Sequence, residues 1–182
     1  MKRIIYLTFF ILSLFTKAQV ASISSMNITD GIYLKDLENV LPKFVGEWVA
    51  KYEKNQVILN IEKVEKYPSQ VRNVKYYRDV LFLRYTIKDS HGNEIYSTAD
   101  KNITDISVLK TSSVSSKSVS FWYRGEECRI GEGYITLTFK DPTHISWEYI
   151  SADKPIDKTK CPNADNIKSY IPKSYELTFT KK

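Results

Sequence analysis

From Gly46 almost to the end of the chain, apolar residues recur at every second position. That period marks strands with one buried face. The first case is "GEWVAKYEKNQVILNIE" (46–62). Trp48, Ala50 and Tyr52 share one strand face, and Val57, Leu59 and Ile61 share a face of the next. With Lys54-Asn55 as a two-residue turn, Tyr52 lies opposite Val57, Ala50 opposite Leu59 and Trp48 opposite Ile61. Asn tolerates the positive φ that such a turn needs. A slip of one residue would turn the whole apolar set to solvent, so the register is expected to be forced.

The pattern continues. "NVKYYRDVLFLRYTIKD" (73–89) reads as a long strand with Leu81, Leu83, Tyr85 and Ile87 in phase, followed by the turn "SHGN" and a return through "EIYST". "SVSFWYR" (118–124) aligns Val119, Phe121 and Tyr123. Around Asp141-Pro142-Thr143, Phe139 faces Ile145, Leu137 faces Trp147 and Ile135 faces Tyr149. "SYELTFT" (174–180) closes the series with Tyr175, Leu177 and Phe179. About eight mostly antiparallel, hairpin-linked strands predict an all-β fold, an up-and-down barrel or a strongly curved sheet. A short N-terminal helix is expected in "LKDLENVLPKF" (34–44), where Leu34, Leu37 and Leu41 are helically spaced and Pro42 ends the run. The serine-rich "TSSVSSKS" (111–118) reads as a mobile loop or an edge. The longest connection, 151–173, holds three prolines and Cys161.

Residues 1–18 have the pattern of an export signal. Lys2 and Arg3 precede the apolar run Ile4–Phe15, and "TKAQ" offers a cleavage position between Ala18 and Gln19. The run is shorter than the roughly 20 residues a membrane span requires. Taking Lys2, Arg3 and Lys17 from the 27 basic residues leaves 24 against 21 acidic ones, a net of +3. So small a charge, spread along the chain, does not suggest nucleic acid. Residues 19–182 are long enough for a single domain burying about 70% of its unfolded surface. Cys128 and Cys161 pair as a disulfide in an oxidising compartment, or one of them serves as a reactive thiol. These features together predict an exported protein, periplasmic or secreted, with no transmembrane segment once the leader is gone.

The start of the first strand carries a resemblance. Gly46-Glu47-Trp48, after a short helix and before a hairpin, resembles the lipocalin and wider calycin opening. The resemblance implies that Gly46 lets the chain turn sharply into a barrel and that Trp48 plugs one end. It also implies a basic residue near the last strand packed over that tryptophan. Here the last strand has no arginine, and only Lys181 and Lys182 follow it. A second resemblance spans nearly the whole chain, through "YLKDLENVLPKFVGEW" (33–48), "KDSHGNEIY" (88–96) and "YELTFTKK" (175–182). It is to a family of small exported bacterial proteins catalogued only as a domain of unknown function. It implies a single exported domain and carries no activity.

Few residues point to catalysis. His91 sits in a polar turn and His144 flanks another, with no zinc motif, nucleophile elbow or phosphate loop nearby. Glu126 and Glu127 are adjacent and would point apart on a strand, so no carboxylate pair at the roughly 5 Å needed for glycoside hydrolysis is specified. The expectation is a non-enzymatic barrel with no cofactor and no metal, whose interior holds a small apolar or amphipathic ligand. Its lining would be Trp48, Tyr52, Leu59, Leu83, Tyr85, Phe121, Leu137 and Trp147, the same residues that would form a filled core. The alternative is a cell-envelope interaction module. Phe82 and Trp122 place large rings on the opposite strand face, with Arg84 and Arg124 in phase with them. That face is either covered by a loop or offered to a partner.

Overall fold

A computed structural model describes residues 19–152 and 155–182. The leader, with Ala18 and its cleavage position, lies outside the described residues, and Gln19 is exposed at the start of them. The strands are β1 (Val20–Ser22), β2 (Tyr33–Lys35), β3 (Gly46–Tyr52), β4 (Asn55–Val71), β5 (Val74–Lys88), β6 (Glu94–Ser97), β7 (Leu109–Val114), β8 (Ser118–Tyr123), β9 (Gly133–Asp141), β10 (His144–Ser151) and β11 (Leu177–Lys181). Eight of them run β5-β4-β3-β11-β10-β9-β8-β7, and β7 pairs back onto β5. The sheet is thus a closed antiparallel barrel, as the alternation predicts. Short β1 and β2 add in parallel outside it, and β6 pairs with β5.

The barrel interior is a packed core. Trp48, Leu59, Leu83, Phe121, Leu137, Ile145, Trp147 and Phe179 have essentially no exposed surface. The β9–β10 hairpin has the predicted register, with Phe139 facing Ile145, Leu137 facing Trp147 and Ile135 facing Tyr149. The β3–β4 hairpin differs. Tyr52 pairs with Asn55, Ala50 with Val57 and Trp48 with Leu59, so the turn is Glu53-Lys54. Glu53, not Asn55, takes the left-handed conformation (φ 54°). The offset is two residues, which preserves parity, and every apolar partner remains on the inner face.

Three other expectations are corrected. The segment 34–44 is not one amphipathic helix. Leu34 belongs to β2 in a small cluster with Ile32 and Tyr76, and Leu37 is exposed. Only Leu41–Phe44 turns, as a 3-10 helix with Pro42 in its first turn. The reason is a pair of buried carboxylates. Asp79 of β5 accepts hydrogen bonds from the Tyr33 hydroxyl (2.5 Å) and the Asp36 N–H (3.0 Å). Asp36 in turn accepts from the N–H groups of Val40 (2.9 Å) and Leu41 (2.8 Å). These bonds outweigh a weak helical spacing.

The serine-rich segment is neither a mobile loop nor an edge, because it supplies β7, the strand that closes the ring. Backbone pairing across that seam covers only Phe82–Lys110 and Leu83–Leu109. The buried Thr111 hydroxyl extends it by accepting from the Leu81 N–H (2.9 Å). Finally, Tyr175 is exposed and precedes β11, whose inward residues begin at Leu177.

Candidate functional site

The two ends of the barrel are finished differently, and an aromatic cleft lies at one of them. At the closed end Gly46 has φ 128°, and a Cβ there would meet the Lys181 side chain at 3.0 Å. The glycine therefore allows both the sharp entry into β3 and the close passage of Lys181. The Lys181 ammonium lies over the Trp48 ring, 5.1 Å from its centroid. It stands where the lipocalin-like resemblance implies a basic residue, and the barrel fits that expectation. The Trp48 indole N–H donates to the Phe44 carbonyl (2.7 Å), and Phe44 meets Phe139 edge-on.

At the open end, the connections after β8 and β10 fold over the barrel mouth. Cys128 and Cys161 form the expected disulfide, with Cα atoms 6.2 Å apart, joining these two connections. Cys128 and Arg129 have positive φ, and Gly125 approaches the Arg129 backbone so closely that a Cβ would stand 2.6 Å from it. From the second connection, Tyr170 stacks on Tyr96, which stacks on Tyr85. Ile171 is buried, and the Pro172 carbonyl accepts from the Trp147 indole (3.1 Å).

Between these parts lies a mouth cleft of about 670 Å³, lined by Tyr85, Tyr96, Trp122, Tyr123, Arg124 and the 125–132 loop. Tyr85 has 1% exposure, and its hydroxyl is buried with no hydrogen-bond partner among the described residues. The Tyr96 hydroxyl is near enough to bear on its ionisation without reaching bonding geometry. Burial pushes the phenols of Tyr85, Tyr96 and Tyr123 up, so all three are neutral donors at physiological pH. The Tyr123 hydroxyl donates to Glu126 (2.6 Å), and the buried Glu132 pairs with Arg129. A second, outer cleft of about 560 Å³ adjoins it, sharing Ile106, Trp122 and Arg124.

Of the eight residues expected to line a ligand cavity, Tyr85 alone borders the mouth cleft. Tyr52 is half-buried, its hydroxyl donating to the Lys173 carbonyl (3.3 Å). Trp48, Leu59, Leu83, Phe121, Leu137 and Trp147 are packed core. The interaction-face residues divide as well. Phe82 is buried with Val80 and Val108 beneath the 98–108 connection, against Tyr67 and Ile103, so it is no exposed interaction face and only edges the floor of the outer cleft. Arg84 is outward and paired with Glu62 (2.7 Å) and the Lys101 carbonyl (2.9 Å). Trp122 and Arg124 line both clefts. Tyr85 apart, the mouth tyrosines Tyr96 and Tyr123 are not legible as site residues in the sequence, because they come from separate strands, β6 and β8.

His91 and His144 lie outside the mouth cleft, each beside a turn aspartate. Among the described residues, no three His, Cys, Asp or Glu side chains converge as a metal ion requires. No helix among them is long and apolar enough to cross a membrane.

Fold and site define a small eight-stranded barrel, plugged at one end and opening at the other onto a tyrosine-lined cleft. Residues 1–176 match the model of a family of unknown function (DUF6705), and the chain belongs to that family. No curated protein and no solved structure matches it.

Proposed function

We propose that this is an exported, non-enzymatic barrel that binds a small amphipathic molecule in the mouth cleft and not in the barrel interior. The observation that carries the reading is the Tyr85 hydroxyl, a buried donor left without a partner at an aromatic-lined cleft. Leaving such a group unpaired costs about 1–3 kcal/mol, which a ligand acceptor would recover. The volume is in the range that holds small ligands, roughly 300–1,000 Å³. Export is supported by the leader pattern and by the disulfide, which persists in oxidising compartments. The non-enzymatic reading is supported by Glu126 and Glu132, the one bonded to Tyr123 and the other to Arg129.

The test is a titration with 6-propionyl-N,N-dimethyl-2-naphthylamine, a neutral fluorophore whose carbonyl can accept from the Tyr85 hydroxyl, followed by its emission. Saturable binding is expected. Tyr85→Phe should weaken it about fivefold, as loss of one hydrogen bond implies. The same substitution should leave Tm unchanged or raise it, because it removes an unpaired buried hydroxyl. Equal binding by wild type, Tyr85→Phe and Trp122→Ala would overturn the reading.

The envelope-module reading retains a smaller basis. Trp122 meets Tyr134 edge-on (4.4 Å), and Tyr134 and Ile150, paired across β9 and β10, are each about half exposed. Partner capture abolished by Tyr134→Ser, with naphthylamine binding intact, would favour it.

A further inference from the structure

We propose that the outer cleft is an oxyanion-binding site, taking a sulfate or phosphate ester borne on a flat apolar body. The site is independent of the mouth-cleft reading. Strand alternation places Arg78 and Phe82 on the outer face of β5, and the pairing Phe82–Lys110 brings the β7 lysine beside them. Tyr67 pairs with Arg78 across the β4–β5 hairpin, and Trp122 and Arg124 arrive from β8 and its end. Arg78, Lys110 and Arg124 thus line one cleft together with the rings of Tyr67, Phe82 and Trp122.

None of these three cations has an ion-pair partner among the described residues. The Nε of Arg78 is buried without a hydrogen-bond acceptor. Buried donors are normally satisfied, so this one marks a missing acceptor. The one carboxylate at the cleft, Asp105, is engaged elsewhere, accepting from the Ser107 N–H (2.9 Å) and hydroxyl (2.7 Å). Arg84, on the same face of β5, shows the contrast: it is neutralised by Glu62. The Lys110 amine lies 4.9 Å from the Tyr67 ring centroid. Burial first, and then the charges of Arg78 and Arg124, hold its pKa below the ordinary lysine value. An anion between the three would relieve that repulsion. Arginine forks bind tetrahedral oxyanions through two parallel hydrogen bonds, and three cations favour a multiply charged or multi-oxygen group. Trp122, half-buried at the rim, supplies a face for the body of the ester.

The experiment is isothermal titration calorimetry of the full exported chain with 2-naphthyl sulfate, 2-naphthyl phosphate and neutral 2-naphthol. At least one ester should bind tenfold or more tightly than 2-naphthol, and the tighter ester identifies the oxyanion. The corresponding inorganic anion should compete. Arg78→Gln and Lys110→Gln should each weaken the ester about five- to tenfold while leaving Tm and naphthylamine binding unchanged. If Arg78→Gln does not fold, Lys110→Gln with the inorganic competition decides. Equal affinity for ester and 2-naphthol, or ester binding indifferent to both substitutions, would overturn the proposal. Failure of naphthylamine binding alone would remove the mouth-cleft reading and leave this one standing.

Discussion

The closed and open ends of the barrel solve the same problem, how to finish a ring of strands, with different materials. The closed end uses neighbours in sequence. Leu41, Phe44, Gly46 and Trp48 lie within eight residues, with Phe139 against Phe44 and the last two residues, Lys181 over Trp48 and Lys182 on Glu47, added from afar. Its plug is apolar, and the Trp48 indole donor is satisfied within four residues. The open end draws on β5, β6, β8 and two connections stapled by a disulfide. Among the described residues it leaves an unpaired hydroxyl and, around the corner, three cations without an ion-pair partner. A compact local plug stabilises the barrel, whereas long-range convergence leaves unmet polar groups where binding can occur.

That contrast can be broken from either end. Trp48→Ala should have the largest effect, about 4 kcal/mol, because it empties a fully buried indole site. Thermal unfolding should show Tm falling by about 12 °C for a chain of this size. Naphthylamine binding at the far end should survive below the transition. The double substitution Cys128→Ser with Cys161→Ser should reverse that pattern. Opening a link between residues 33 apart costs about 3.5 kcal/mol in the chain-entropy view. Here binding should be lost well below the melting transition, as the mouth loosens before the barrel does.

Asp79 tests the strap that leads into the closed end. Burial alone would raise its pKa, but hydrogen bonds from Tyr33 and the Asp36 and Lys66 N–H groups, with the Lys63 charge, hold it below the ordinary value. A carboxylate with a depressed folded pKa contributes stability that is fully present above its unfolded pKa of about 3.9. That contribution is lost as pH falls through the folded pKa. Asp79→Asn should therefore cost about 2 kcal/mol at neutral pH. The difference from wild type should narrow below about pH 4, as read by denaturant unfolding across pH. The smallest effect belongs to Lys181→Met, about 0.5–1 kcal/mol, the worth of an exposed cation over an indole. Its Tm change should shrink further in the Trp48→Ala background, since the ring is then gone.

Much of the barrel could be read from the chain. The inward residues of β3, β4, β5, β8, β9 and β10 follow from alternation, and the β9–β10 register from the Asp-Pro-Thr turn. The first hairpin departs from the expected register by two residues, because the tolerance of Asn for positive φ points to Lys54-Asn55 whereas Glu53 takes that conformation. The closing strand β7 was hidden because its seam rests on a threonine hydroxyl instead of a hydrophobic run. The clefts were largely illegible. Arg124 and Trp122 were visible as an outward pair, but Arg78, Lys110, Tyr96 and Tyr123 carried no local sign of convergence.

The sequence by itself determined which face of each long strand is buried and that the two cysteines could pair. Those properties depend on residues one or two positions apart, or on composition, where the pleat and the turn impose the answer. Only the tertiary structure decided that the interior is filled and that Phe82 is covered. It also decided that Lys181 caps Trp48 and that Arg78 of β5, Lys110 of β7 and Arg124 at the end of β8 line one cleft with no ion-pair partner among the described residues. Those outcomes depend on ring closure and loop docking, which bring together side chains tens of residues apart in no periodic relation.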